Sequence, residues 1–570
     1  MRFWKWYNNP MNNAKEMNQN ELEKLNKEEL CKIILQMQEM VQEKEETIAQ
    51  KERTITEKDN RIDILTQEVQ LLRAQRFGRK SEMNQAEAIK NGQTFMEDVL
   101  IFNEAEAVAD TSAEKDQEIT VKEHTRKKRP KGKQEEDLSK FRKEEEHIRI
   151  DDEELARLFP NGYRELPEDV TSQLEYIPAQ YYVKETHIHV YCAKDDNSNI
   201  VRADAPKKLF SGSLASPSIV AGVMNAKYVN AVPLYRIEQE FKINDVPVSR
   251  QTMANWIIMA TEQYLSLLID RLIIELFIHQ VIHADETPML VAKDGRKAGS
   301  KSYMWVYRSN VLDSHPVVIF DYHETRQVIH PQEFLKDFFG ILVTDGYETY
   351  HKLARLRGGE IIIAGCWVHL HRKFKDALKG LGRSGEKTAA RSIAEQAVEK
   401  IAVLFQEDNK LNNMTSEERL QNRKKILKPL VDELFSWLTE HRSDVTLKSL
   451  TGRAITYALN QEEYLRVFLR HGDVPMENNA AERAIRPFCI GKKNWIMSDT
   501  VHGAEASAVI YSIVETAKAN DLKPYEYLKY LLEEIPKHMD DTSMEFLDDL
   551  LPWSEAIPKE CRRQETVTES

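Results

Sequence analysis

The chain has 570 residues, 41% of them hydrophobic and 30% charged, with a formal net charge of −13 and five cysteines. That size and apolar content argue for several domains with real cores, and the acidic balance argues against non-specific nucleic-acid binding through overall charge. No apolar run approaches a membrane span, the opening MRFWKWYNNP lacks the apolar stretch of a secretory signal, and the cysteines show no CxxC spacing, so the expectation is a reducing, intracellular protein with no membrane segment and no Cys-rich zinc site.

Residues 30–72 carry a heptad pattern. With Ile34 as position a, the a series runs Ile34, Val41, Ile48, Ile55, Ile62, Val69, and the d series runs Met37, Lys44, Lys51, Lys58, Leu65, Leu72. β-Branched a positions favour a parallel two-stranded coil, and lysines at d weaken its middle. Residues 79–145 read as a charged linker. Within it, KEHTRKKRPKGK (122–133) is either a solvated run or a DNA-backbone contact. Residues 146–208 alternate and suggest a small β module. Residues 216–257 read as helix, short turn, helix, with Ser249 as a cap, which is the size of a helix-turn-helix but also of plain core.

Three short strand-like runs follow: QVIHADETPMLV (280–291), SYMWVYR (302–308) and HPVVIFDYH (315–323). A helix, the run GILVTDGY (340–347), another helix and GEIIIAGCWVHL (359–370) complete a mixed sheet with crossover units. Residues 372–470 are helical by period, residues 503–536 are helical again, and the acidic stretch from Lys537 is expected to be poorly ordered.

Asp285 is expected to end the first strand of that sheet and Asp345 the fourth, so both emerge at one edge, where ligands bind in such sheets. Each also has an ordinary reading: Asp345-Gly346 is a common turn pair, and Asp285 can solvate a strand end. A later acid stands in MENNAAERAIRPF (476–488). Asn479-Ala-Ala-Glu482 fits a capping box, with Pro487 closing the run, and the box would fix the rotamer of Glu482. Two strand-end aspartates and one helical acid are what a site for two divalent cations requires, because hard cations take oxygen ligands and two of them can activate the attacking oxygen and stabilise the leaving one in phosphodiester displacement.

HADET, TDGY, CWVHLHRKF and ENNAAERAIRPFCIGKKNW resemble the insertion-sequence-66 (IS 66) transposases, and the resemblance extends over LRAQRFGRKSE, LIFNEAEA, VPLYRIEQEF and SIVETAKANDLKPYEYL. It implies a ribonuclease-H-like domain with a DDE triad interrupted by a helical insertion; carried over, the triad is Asp285, Asp345 and Glu482. Family members commonly carry a Cys-rich zinc-binding segment where this chain, at about 146–195, keeps Cys192 alone, so no zinc is expected. The family's GRKNW reads GKKNW here, losing bidentate geometry at Lys492.

Around the acids, His369, Arg372 and Lys373 are candidates for DNA phosphates, although a strand-end histidine bonded to backbone is the plainer reading of His369. Arg483 and Arg486, one turn apart on the Glu482 helix, continue into Lys492, Lys493 and Asn494 as a positive strip, with Trp495 expected to pack. The expected organisation is α+β and multidomain: an N-terminal leucine-zipper-like coiled coil (1–78), the linker (79–145), a degenerate zinc-ribbon-like β module without zinc (146–208), a helix-turn-helix-like region (209–275), a ribonuclease-H-like mixed-sheet catalytic domain (276–500) with an all-α insertion at about 375–475, C-terminal helices (501–536) and an acidic tail (537–570).

The reading is a DNA transposase binding two Mg²⁺ or Mn²⁺ ions per site, cutting element ends and joining the freed 3′-hydroxyl to target DNA. Its partners would be element ends, target DNA, a second copy through residues 30–72, and small accessory proteins implied by the resemblance. The location would be a bacterial cytoplasm, at the nucleoid. The rivals are a non-catalytic DNA-binding protein derived from a transposase and a stand-alone metal-dependent nuclease.

Overall fold

The computed structural model describes residues 26–77, 157, 179–192, 200–204, 206–311, 313–380 and 392–563. The linker, with its basic run, and most of the expected β module lie outside the described residues. Of that module an antiparallel pair is described, β1 (Val190–Cys192) with β2 (Ile200–Arg202). The chain divides into two compact units: residues up to Met96 with Gly365–Met476, and Glu97–Ala364 with Glu477–Ser570. No helix among the described residues is long and apolar enough to cross a membrane.

The second unit is α+β. Its alternating apolar runs form β3 (Val281–Lys293), β4 (Lys301–Ser309), β5 (Val318–His323), β6 (Gly340–Thr344) and β7 (Ile361–Gly365), ordered β5-β4-β3-β6-β7. β3 is antiparallel to β4, β4 to β5, and β3 parallel to β6, so the sheet is mixed. Met304, Val306, Leu342 and Val343 are fully buried, as central strands covered on both faces require. A short strand, β8 (Ser498–Thr500), pairs with the far end of β3 at Val291 and Lys293.

One expectation about β3 is corrected here. Asp285 does not end the strand but sits within it: β4 pairs with β3 as far as Leu290, and β8 takes over at Val291, so the backbone of β3 keeps partners to Lys293. What ends near Asp285 is the parallel neighbour β6, at Thr344.

The helix Val501–Ala519 covers β5 closely because its face is small: Ala504, Ala508, Ser512 and Thr516 are buried. Its hydroxyls serve the edge of β5 directly. Phe320 N donates to Ser512 Oγ at 2.7 Å, and Val318 N donates to Thr516 Oγ1 at 3.0 Å. Side chains thus satisfy backbone groups that a neighbouring strand would otherwise take. Earlier in the unit, the helices Leu234–Ile243 and Arg250–Ala260 bury Ile237, Phe241, Met253, Trp256 and Ile257, and Ser249 caps the second by accepting from Thr252 N.

Within the stretch from Lys537, expected to be poorly ordered, the described residues as far as Arg563 are packed. Leu547, Leu550, Leu551, Ile557 and Cys561 are buried, Tyr527 donates to Leu550 O at 2.6 Å, and Lys523 N donates to Cys561 O at 2.7 Å. Apolar anchors within an acidic composition decide the outcome.

The first unit is helical. Lys27–Phe77 is one continuous helix, and the heptad a positions Ile34, Val41, Ile48, Ile55, Ile62 and Val69 are all exposed on it, while Ile64 on another face is buried. Glu68 accepts from Arg453 of the helix Leu450–Leu465 at 2.7 Å. Trp367 anchors the rest: its ring is fully buried, and its Nε1 donates to Leu465 O at 2.9 Å.

Candidate active site

β3 and β6 run in parallel register, with His283 opposite Val343. Two residues further along each chain stand Asp285 and Asp345, so the register brings the two aspartates to one level as β6 ends. Asp285 Oδ1 accepts from Glu286 N at 2.9 Å, and Asp345 Oδ1 accepts from Tyr347 N at 2.9 Å, an Asx turn that starts the next helix, Glu348–Leu356. Burial pushes the Asp285 carboxyl well above the usual carboxylate range, and the negative charges of Glu286, Asp345 and Glu482 push it further. The third acid therefore acts on the first across the sheet face.

Glu482 arrives on the helix Asn479–Trp495. The expected capping box is not formed. The N-cap is Asn478, whose side chain does not cap; it turns instead to β3, where its Nδ2 donates to Ala284 O at 2.8 Å and its Oδ1 lies 2.9 Å from His283 Nδ1. Glu482 then sits one residue beyond the N3 position, and its N–H makes an ordinary helical bond to Asn478 O at 3.2 Å. Nor does Pro487 close the run. The helix continues through it, because Ile485, Phe488 and Gly491 bury on both sides of a residue that costs about 3 kcal/mol in an isolated helix.

The far end of this helix is tied to the same strand. Lys492 Nζ donates to Thr287 Oγ1 at 3.0 Å and to Pro288 O at 2.6 Å. Lys492 was expected in an outward positive strip; its ammonium instead serves β3. Asn494 is exposed and donates to Ala231 O at 2.7 Å, and a Cβ at Gly491 would meet the Trp495 ring at 2.2 Å, so only glycine lets that ring pack as it does. Arg483, Arg486 and Lys493 remain exposed. Arg308 donates to Ala480 O at 3.3 Å at the start of the helix, and burial, with Arg483 nearby, works against its charge. His369, Arg372 and Lys373 belong to the other compact unit, on the helix Trp367–Gly380; Arg372 and Lys373 are exposed there, and Lys373 Nζ lies 4.4 Å from the Tyr457 ring centre.

Adjacent strand residues point to opposite faces. His283 and Thr287 meet the Glu482 helix, so Asp285 between them shares that face, and Glu286 takes the other. There Glu286 is held by Arg326, whose Nε donates at 2.8 Å, and by the Tyr350 hydroxyl. The Arg326 guanidinium also lies over the Tyr347 ring, 3.5 Å from its centre. Glu286, Arg326, Tyr350, His283 and Asn478 escaped the sequence reading. HADET and ENN display His283, Glu286 and Asn478, but nothing in a linear pattern pairs residues so far apart.

Among the described residues, no three His, Cys, Asp or Glu side chains stand close enough together to form a ready metal cage. The donor set nevertheless suits a hard divalent cation: it is all oxygen, and burial and neighbouring acids work against the charge of the Asp285 carboxylate, which a cation would offset.

Comparisons with known proteins bear on the whole arrangement. The model of a family described as transposase IS66 family matches residues 212–506, one described as IS66 C-terminal element matches 512–553, and one described as transposase C of IS166 homeodomain matches 64–141. An uncharacterized protein of Sinorhizobium fredii, y4hP, is 30% identical over 403 residues, covering 68% of this chain and 71% of its own length. A second from the same organism, y4qI, is 29% identical over 396 residues with the same coverage.

Proposed function

The chain belongs to the IS66 transposase family, and on that premise we propose that it is a DDE-type DNA transposase whose ribonuclease-H-like domain cuts the ends of its element and joins them to target DNA. The observation that carries the reading is geometric: the parallel register of β3 and β6 brings Asp285 and Asp345 to one level, and the helix of Glu482 is tied through Asn478 and Lys492 to the strand that carries Asp285. These residues would hold two Mg²⁺ or Mn²⁺ ions. Such ions, when bound, supply Lewis-acid activation of the attacking oxygen and stabilisation of the leaving one.

The chain's own residues do the rest. Asp285, inside a long strand rather than on a loop, gives the site a rigid first acid. Arg483 and Arg486, exposed on the helix of the third acid, offer their guanidinium groups to DNA phosphates beside the scissile bond. Arg308, held behind Arg483 with its charge incompletely offset, favours an anion at the same end of the helix. Glu286 is already engaged by Arg326 and Tyr350, so it supports the strand and leaves the ligand set to the triad. His369, Arg372, Lys373 and Lys493 remain candidates for further phosphate contacts, and the exposed a positions of the long helix support self-association through residues 30–72.

The test is an assay with a duplex carrying the element's end, Mg²⁺ or Mn²⁺, and target DNA. Divalent-dependent nicking followed by a joined product is expected, and Glu482→Gln should lose at least about 100-fold of the rate, since supporting groups alone are worth roughly 10- to 100-fold at metal sites. Nicking without joining would point to a stand-alone nuclease. Binding of DNA with no cleavage would leave a non-catalytic DNA-binding protein.

A further inference from the structure

The helix that carries Glu482 is fixed to the strand that carries Asp285 by a buried polar contact at its first turn. Asn478 and His283 are each 1% exposed. The Asn478 amide nitrogen donates to Ala284 O at 2.8 Å, and a carbonyl can only accept. Asn478 Oδ1 must therefore be the atom facing His283 Nδ1 at 2.9 Å, and the imidazole donates from Nδ1. The same residue's backbone carbonyl accepts the N–H of Glu482. A single side chain thus joins two neighbours of Asp285, residues 283 and 284, to the helical turn that ends at Glu482.

We propose that Asn478 and His283 are positioning residues that set where Glu482 stands relative to Asp285, an inference that rests on the reading of those acids as one site. An asparagine suits the task because it presents a donor and an acceptor at once and adds no charge beside carboxylates already in mutual repulsion. Aspartate would add a fourth negative charge to that face, and serine would not span both partners. The Lys492 contacts to Thr287 and Pro288 hold the other end of the helix, so Glu482 lies between two ties to β3. Displacements of about 1 Å are enough to cost on the order of 100-fold in an organised site.

The experiment uses the full chain with three variants, Asn478→Ala, His283→Ala and His283→Asn, and Glu482→Gln as reference. Mn²⁺ binding is followed by titration calorimetry, nicking by the element-end assay, and folding by thermal unfolding. Asn478→Ala and His283→Ala are expected to weaken Mn²⁺ binding and slow nicking, each by roughly 10- to 100-fold, with DNA binding retained. His283→Asn keeps a side-chain N–H near the position of Nδ1 and should retain most of both properties. His283→Asn truncates the ring less than His283→Ala, so thermal unfolding reports the packing lost in each, and the rescue is read from Mn²⁺ binding and nicking of the folded proteins. Wild-type Mn²⁺ binding and nicking in Asn478→Ala, alongside an inactive Glu482→Gln, would overturn the clamp alone. A folded His283→Asn as impaired as His283→Ala would overturn the hydrogen-bond assignment on which it rests. A Glu482→Gln variant that binds Mn²⁺ and nicks like the wild type would overturn the reading of the site, and the clamp with it.

Discussion

Two charged clusters, one in each compact unit, have opposite characters. In the helical unit, Arg423 lies 2% exposed with every guanidinium nitrogen engaged: Nε and one terminal nitrogen meet the two oxygens of Asp408 at 2.7 and 3.0 Å, and the other terminal nitrogen reaches the carbonyls of Phe468, His471, Gly472 and Val474. Arg419 beside it does the same for Leu411, Asn412, Met414 and Gly472. In the sheet unit, Asp285 is half-buried beside other carboxylates, and its charge is opposed rather than offset. A compensated buried charge ties loops together. An uncompensated one is costly to keep unless something outside the chain completes it.

Substitutions that remove charge should therefore act in opposite ways on the two clusters. The largest effect belongs to Arg423→Ala, which strands the Asp408 carboxylate and several carbonyls in the interior. A loss of about 3–5 kcal/mol in denaturant unfolding is expected, with any loss of nicking following only from unfolding. Glu482→Gln comes next and reverses the pattern: nicking falls at least about 100-fold, or about 2.7 kcal/mol in the barrier, while unfolding shows unchanged or greater stability because a like charge has left Asp285. A Glu482→Gln protein as destabilised as Arg423→Ala would break the contrast.

Arg326→Ala repeats the contrast within the sheet unit, since Glu286 is paired with a guanidinium directly beside the unpaired Asp285. It should cost about 1–2 kcal/mol of stability, the value for leaving a buried polar group unmatched, reduced because the guanidinium is a third open to solvent. Smallest is Arg486→Ala. Stability should stay within about 0.5 kcal/mol, and DNA binding should weaken several-fold, with its dependence on log salt shallower by about one. An unchanged salt dependence would remove Arg486 from the DNA face.

How much of this was legible in the sequence follows from what each feature depends on. The strands of the mixed sheet show in HADET and TDGY and in the apolar runs around them, because pairing and burial leave a local pattern. Asp285 and Asp345 were expected at one edge of the sheet, and the parallel register of β3 and β6 brings them to one level. Their exact settings were not legible. Asp285 lies inside β3 only because β4 and β8 extend its pairing, and the last of these partners, β8 at Ser498–Thr500, is distant in the chain. The box at Asn479 failed because Asn478 found better partners in His283 and Ala284 than in its own helix. Pro487 passed inside a helix, and the described part of the acidic stretch after Lys537 packed, for one shared reason: burial by distant residues overrode a local signal.

The central claim is that Asp285, Asp345 and Glu482 together hold the divalent cations on which strand cutting depends. Anomalous diffraction from a crystal of the full chain soaked in Mn²⁺ addresses it most directly. The account predicts manganese peaks bounded by those three carboxylates, and their loss in the Glu482→Gln protein. Mn²⁺-dependent nicking from a protein whose manganese lies elsewhere, or is held without Glu482, would contradict it.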